Sequence, residues 1–456
     1  MENINIVDFH FMNSLIDSSN KKVRDERVCV IGQGFVGLPL ALSFALRGCG
    51  TIGVDVEETL ISQINAGITS HTEKFHEMSI EKVLKLQLEA NRYIATTNAD
   101  MAIQNSNVII VTVGIPIEEG IHKMDYLENA CRIIGKNINK NSLIIIRSTV
   151  IPGTTEELIL PIIEEESNMK AGKDFYLAYA SERIAEGLAF EEFENMPTLV
   201  GAVDEESLNR AAKVLAIVCK AEIVRASCIK AVETSKVFEN VQRDVNLAMS
   251  QEFARFSEAM GVDIFEVIKL ANTHKRVNLL VPGAGVGGYC IPNAYYYLLP
   301  KAKEYEVELE MVKLARDTNS NMPLFIVSKV KELLNIEGKK LESSKIAVLG
   351  LAMKDYSNDD RLSPPIEICK RLINLGAEVR AYDPVITTEY DFKVKSQEEA
   401  LGNADALIIL TKQKEIKYYT FEHLTKVMAK KAVYVDCKGV LNMKEAKKHG
   451  INYWRI

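Results

Sequence analysis

The chain lacks several things, and each absence removes a class of function. None of its eight cysteines forms a Cys-x-x-Cys pair, and its seven histidines (His10, His71, His76, His122, His274, His423 and His449) are dispersed. No His/Cys cluster has zinc-ligand spacing, so no metal is expected. Scattered, unpaired thiols suit a reducing compartment better than a disulfide-stapled secreted scaffold. No apolar run reaches the roughly 18–20 residues that cross a bilayer. Residues 1–25, expected as a tail, contain no apolar signal-peptide segment. A cytoplasmic protein without a membrane partner is expected. Positive charge is not in excess either. The net charge of −7 gives no broad basic surface, so no nucleic-acid partner is expected.

What remains is an ordinary globular composition, 47% hydrophobic and 26% charged over 456 residues, enough for two or three domains. Residues 27–55 read strand, turn, helix, strand. The β-rich run Arg27 to Ile31 leads directly into Gly32-Gln33-Gly34-Phe35-Val36-Gly37, then the apolar stretch Leu38 to Leu46. A second strand, Thr51 to Val54, ends at Asp55. A G-x-G-x-x-G between a strand and a helix lets the backbone approach a pyrophosphate, which the helix N-terminus attracts. A carboxylate at Asp55 accepts from ribose hydroxyls and repels a 2′-phosphate, which favours NAD over NADP.

Further strands (107–113, 142–147, 175–179, 222–225) alternate with helices (125–138, 154–166, 205–219). This predicts a doubly wound parallel sheet over residues 26–226. From Ile229 the pattern turns to long helices. Val237, Val241, Val245 and Ala248 form an apolar stripe, while Lys236, Asn240 and Arg243 share another face that lines either solvent or a cleft. A second α/β unit begins near Ser344: strand 345–349, Gly350 to Lys354, helix 363–375, strand 378–382 ending at Asp383, then strands 406–410 and 432–435. The fold expected is α/β: two Rossmann-like doubly wound domains (26–226 and 329–456) joined by a central helical domain (227–328) with a long helix.

The stretch Val281-Pro-Gly-Ala-Gly-Val-Gly-Gly-Tyr-Cys290-Ile-Pro292 is the most informative. Its glycines let the backbone come close to a ligand. Its thiol is either a nucleophile or a buried small residue.

Six segments in one order, VCVIGQGFVGLPLA, IIIRSTVIPGTT, SERIAEG, KVFENVQRDVNLA, VPGAGVGGYCIP and GLAMKDYSNDDRLSPP, resemble the UDP-glucose/GDP-mannose dehydrogenase family. The resemblance covers nearly the whole chain after residue 26. It implies an NAD-dependent four-electron oxidation of the C6 hydroxyl of a nucleotide sugar to a carboxylate. In that scheme Cys290 forms a thiohemiacetal and then a thioester. Lys236 and Asn240 match the oxyanion-stabilising pair, Glu182 the general base, and Thr149 the residue that holds water. The resemblance puts Gly32, Gly34, Phe35, Val36, Gly37, Asp55, Thr149 and Arg361 at the cofactor. It puts Glu182, Arg183, Lys236, Asn240, Gly283, Gly285, Gly287 and Lys354 at the UDP-sugar substrate. It also implies a homodimer or higher homo-oligomer paired through the long helix. Each residue type has an ordinary structural use as well: Thr149 as a turn cap, Glu182 paired with Arg183 on the surface, Lys354 and Arg361 as solvated charges.

Four positions depart from the family pattern. Ala294 stands where Asp is usual four residues after the cysteine, Ser181 where Pro is common, Ile115 where Thr is usual, and Asp355 where Pro is usual. With Ala294, either Glu182 and a Thr149-bound water complete the oxidation, or thioester hydrolysis is impaired. A catalytically silent nucleotide-sugar-binding homologue is the third reading. The segment LILPIIEEESNMKAGKDFYLAYASERI resembles the branch that acts on UDP-N-acetylhexosamines, with UDP-glucose as the alternative substrate.

Overall fold

The computed structural model describes residues 24–456 apart from positions 119 and 186, so most of the expected N-terminal tail lies outside the described residues. The chain divides into two compact units, the first running to Val237 and the second from Phe238 to Ile456.

The first unit is built on an eight-stranded sheet. Its strands are β1 (Arg27–Ile31), β2 (Gly50–Val54), β3 (Tyr93–Thr96), β4 (Val108–Val111), β5 (Leu143–Ile146), β6 (Tyr176–Ala180), β7 (Thr198–Ala202) and β8 (Ile223–Arg225). They lie in the order β8-β7-β6-β5-β4-β1-β2-β3. Central strands such as β4 and β5 are buried along their whole length, as their unbroken apolar runs require when helices cover both faces. Helix α1 (Gly37–Leu46) is buried from Gly37 through Ala45, which accounts for its lack of a polar face. The β3-β2-β1-β4-β5-β6 segment is the doubly wound order, with its switch point between β1 and β4. The sheet is not wholly parallel as the sequence suggested. β6 and β7 pair antiparallel, so β7 and its parallel neighbour β8 run against the rest. The expected single helix over 154–166 is a π-helical turn (Thr155–Ile159) followed by an α-helix (Leu160–Ser167). Pro161, which has no N–H to donate, sits at the join.

Helix α2 (Ile229–Ala259) is 31 residues long. Val237, Val241 and Ala248 of the expected stripe are buried. In the second unit, helix α3 (Cys290–Glu304) begins at the cysteine itself. A second sheet follows: β9 (Lys345–Leu349), β10 (Glu378–Tyr382), β11 (Ala406–Ile409), β12 (Val433–Asp436) and β13 (Tyr453–Arg455), with helix α4 (Pro364–Asn374) between β9 and β10. All neighbours are parallel, in the order β10-β9-β11-β12-β13. This is the other common doubly wound order. β13 did not stand out in the sequence, because three residues with one buried side chain carry no alternation to read.

The two sheets build the same turn twice. After β1, Gly32 takes a φ of 95° and the Gln33 N–H donates to Asp55 Oδ2 at 2.7 Å. After β9, Gly350 takes a φ of 89° and the Leu351 N–H donates to Asp383 Oδ2 at 2.7 Å. Each aspartate ends the second strand of its sheet. Asp383 also accepts from the N–H groups of Ala352 and Val385. Asp383→Ala would strand these donors in a buried place, at about 1–3 kcal/mol for each group left unpaired. Urea unfolding followed by the fluorescence of the sole tryptophan, Trp454, which lies in the same unit, checks this. An unchanged midpoint would refute it.

Candidate active site

In the first unit the predicted residues cluster at the carboxyl ends of the strands. Gly32 to Gly37 follow β1, Asp55 follows β2, Thr149 follows β5 and Glu182 follows β6. Open doubly wound sheets bind ligands at this edge. The glycine turn fits a dinucleotide. A Cβ on Gly37 would overlap the Gly32 carbonyl, so only glycine allows α1 to start so close to the turn. Cβ atoms on Gly34 and on Gly114, beyond β4, would meet nothing within 4 Å, which leaves that face of the crevice open to a pyrophosphate. α1 has no side-chain N-cap and its positive end faces the turn, although the Leu38 N–H already donates to the Gly34 carbonyl at 3.3 Å and Pro39 has no N–H. Asp55 accepts from Gln33 through Oδ2 and from Glu57 through Oδ1, and a carboxylate has further lone pairs for ribose hydroxyls. Phe35 is 41% exposed at the mouth of the turn, with Val36 half-buried. Ile115 is buried in the core, where a threonine hydroxyl would need a partner.

Glu182 is not the surface partner of Arg183. It is buried, and its Oε2 accepts from Arg147 Nη2 at 2.8 Å. Its Oε1 accepts from the Arg183 and Ile184 N–H groups at 2.7 and 2.8 Å. All three of these partners are donors. Arg147 is itself buried and lies 5.5 Å from the centre of the Phe193 ring. The sequence reading missed it, although it sits two residues before Thr149 in the quoted Arg-Ser-Thr motif. A buried arginine is uncommon and needs a counter-charge. Thr149 leads into the turn at Ile151 to Thr155. Glu233, wholly buried on α2, holds that turn by accepting from the Gly153 and Thr155 N–H groups at 2.5 and 3.0 Å.

On α2, Lys236 and Asn240 are one turn apart on one face, 9% and 6% exposed. Neither has a hydrogen-bond or ion-pair partner among the described residues. The solvent reading of this face therefore does not hold for these two, whereas Arg243 on the same face is exposed.

In the second unit, Cys290 is exposed at the first position of α3, a helix without a side-chain N-cap bond. The loop before it is packed onto the loop after β9. The Gly288 N–H donates to the Arg361 carbonyl at 3.0 Å. A Cβ on Gly287 would lie 2.6 Å from Pro364 Cδ and 2.8 Å from the Leu362 carbonyl. Gly285 has a φ of 135° and also abuts Pro364, and Gly283 donates its N–H to Gln251 Oε1 at 3.3 Å. The structure thus brings Cys290 and its glycines together with Lys354 and Arg361, both exposed. The Arg361 guanidinium grips Asp359 through both carboxylate oxygens at 2.9 and 2.6 Å. Asp355, where proline is usual, pins the same loop. It accepts from the Lys412 N–H at 3.0 Å and pairs with Lys438 Nζ at 2.9 Å.

Removing one partner of a buried ion pair leaves an uncompensated charge. Arg147→Met is therefore expected to lower the unfolding free energy by about 3–5 kcal/mol, measured by chemical denaturation, with Arg147→Met/Glu182→Leu regaining most of it. A loss below about 1 kcal/mol in the single variant would refute the pairing. Burial pushes the thiols of Cys29, Cys49 and Cys131 up to about 12, and raises those of Cys369 and Cys437 as well. Brief native alkylation should label Cys290 and the other exposed thiol, Cys228, first, read by peptide mass. Earlier labelling of the buried thiols would count against this arrangement.

Three family models match consecutive parts of the chain. They are the NAD binding domain (residues 26–219), the central domain (230–321) and the UDP binding domain (347–443) of the UDP-glucose/GDP-mannose dehydrogenase family. The UDP-N-acetyl-D-mannosamine dehydrogenase of Pyrococcus horikoshii is 35% identical over 415 residues, covering 91% of this chain and 96% of the relative. The solved structure of the P. horikoshii enzyme superposes with a TM-score of 0.87 at 34% identity, covering 94% and 99% of the two chains. That of an NDP-N-acetyl-D-galactosaminuronic acid dehydrogenase from Methanosarcina mazei gives 0.82 at 28%, covering 94% and 95%. With its glycine turn, its second nucleotide-type sheet and these matches along its length, the chain belongs to the UDP-glucose/GDP-mannose dehydrogenase family and is an NAD-dependent UDP-sugar dehydrogenase.

Proposed function

We propose that the chain oxidises the C6 hydroxyl of a UDP-N-acetylhexosamine, UDP-N-acetylmannosamine first among them, to the uronic acid through covalent intermediates on Cys290. The observation that carries this reading is the exposed thiol at the start of α3, on a glycine loop packed against the loop of Lys354 and Arg361. The relatives named above act on N-acetylated nucleotide sugars, which supports the choice of substrate.

Each residue has a role that follows from its chemistry. The thiolate of Cys290 adds to the C6 aldehyde, giving a thiohemiacetal, a species that can donate a second hydride where a bare aldehyde cannot. NAD supplies the hydride acceptor for both oxidations. Lys236 and Asn240, buried and without side-chain partners among the described residues, donate to the oxygen that becomes negative at each addition. Thr149 holds the water that attacks the thioester, and Glu182 accepts its proton through the lone pair left on Oε2. Arg147 and the two backbone donors fix that carboxylate in one orientation. Lys354 and Arg361 bring positive charge to the diphosphate and to the cofactor. The apolar side of α2, with Phe238 and Phe256 exposed, suits pairing with a second copy.

A panel of UDP-sugars read by NADH release and product mass tests the reading. Two NADH per sugar and a uronic acid are expected, with the UDP-N-acetylhexosamines preferred over UDP-glucose. One NADH with free aldehyde would overturn the full oxidation, and preference for UDP-glucose would overturn the substrate. Cys290→Ser should lose oxidation beyond a trace; near-normal hydride transfer in that variant would overturn the thiol mechanism.

A further inference from the structure

Position 294 carries only a methyl group, and that methyl is 1% exposed on α3. The residue before it is the unusual one. Asn293 is 7% exposed, and its Nδ2 has no hydrogen-bond partner among the described residues. A buried amide donor left unpaired is costly, so such groups in folded proteins call for a reason. Asn293 lies three residues after Cys290, on the neighbouring turn of the same face. Side chains of a helix lean towards its N-terminus, which for Asn293 is the turn that bears the thiol. Tyr297, one turn further along the same stripe, is buried as well. The stripe 293, 294 and 297 therefore backs directly onto the nucleophile.

We propose that the Asn293 amide is a further catalytic residue, donating from Nδ2 to the oxygen of the acyl group on Cys290 during hydrolysis. This rests on the thioester reading above. In the step concerned, water forms a C–O bond to the acyl carbon and the carbonyl oxygen takes the negative charge. Collapse breaks the C–S bond, and the electron pair leaves on sulfur. One water proton is carried to the thiolate, and the other is released as the product acid ionises. No redox partner is needed. Asn293 cannot accept the water's proton as a carboxylate at 294 would; it lowers the barrier by meeting the developing charge.

The test compares the parent chain with Asn293→Leu, close in shape but without a donor, and with Asn293→Ala. Stopped-flow NADH release and intact-protein mass are read with the preferred UDP-sugar. Both variants should release two NADH per site rapidly, then turn over about 10²-fold more slowly than the parent. The protein should gain the mass of the whole UDP-linked uronyl group. A purely structural asparagine would shift thermal stability and leave the burst and the adduct as in the parent, which would overturn the proposal. Equal adduct in parent and variants would overturn it too. If Cys290→Ser still performs both oxidations and no chain forms an adduct, the thiol reading falls and this proposal with it, an outcome distinct from the other two.

Discussion

A tight glycine turn at the end of a parallel strand leaves backbone N–H groups that point away from any sheet partner, and something must receive them. In each sheet of this protein an aspartate at the end of the next strand does so: Asp55 for Gln33, and Asp383 for Leu351 and Ala352. With the turn fixed, the following helix or loop starts in a defined place, and the crevice at the switch point stays open. Thr149 and Glu182 follow strand ends at that same edge of the first sheet, whereas Lys236, Asn240 and Cys290 are carried by helices. The aspartate in the first sheet holds the turn and is also the residue that the sequence reading assigns to the ribose. That is why a residue readable as a ligand group also turns out to be a structural one.

The polar machinery follows a second rule, that buried charge is tolerated only when its partners are in place. Glu182 and Glu233 are met by donors within the first unit, and Arg147 has Glu182 as its counter-charge. Asp244 is likewise met by Arg316 and Asn319 in the second. Lys236 is a buried charge without such a partner among the described residues, and with the neutral amides Asn240 and Asn293 it is proposed to meet negative charge that arises only during reaction.

Much of this was legible in the sequence because it is local. Runs such as Val28–Ile31 and Lys345–Leu349, each followed by glycine, announce strand and turn within a few residues. The glycine–cysteine loop and the i, i+4 pair Lys236 and Asn240 are likewise read from spacing alone. What stayed hidden depends on partners distant in the chain. Arg147 and Glu182 are 35 positions apart, and nothing in either segment announces the pair. The reversed strands β7 and β8 differ from their parallel neighbours only in how the connection before them folds. Arg243 shows the limit of periodicity, which places a residue on a face without saying how far the cover extends.

The loop around Arg361 and the loop before Cys290 are, in packing terms, one object: Gly288 is bonded to the Arg361 carbonyl, and Gly287 has no room for a side chain against Pro364. The placement of the loop after β9 and that of the thiol are therefore inherited together. A lineage that altered this loop, proposed to meet the nucleotide sugar, would displace the sulfur as well, unless the glycine run changed with it. Diversification within such a scaffold should proceed by paired substitutions across these two loops. Single replacements in either one would trade turnover for specificity.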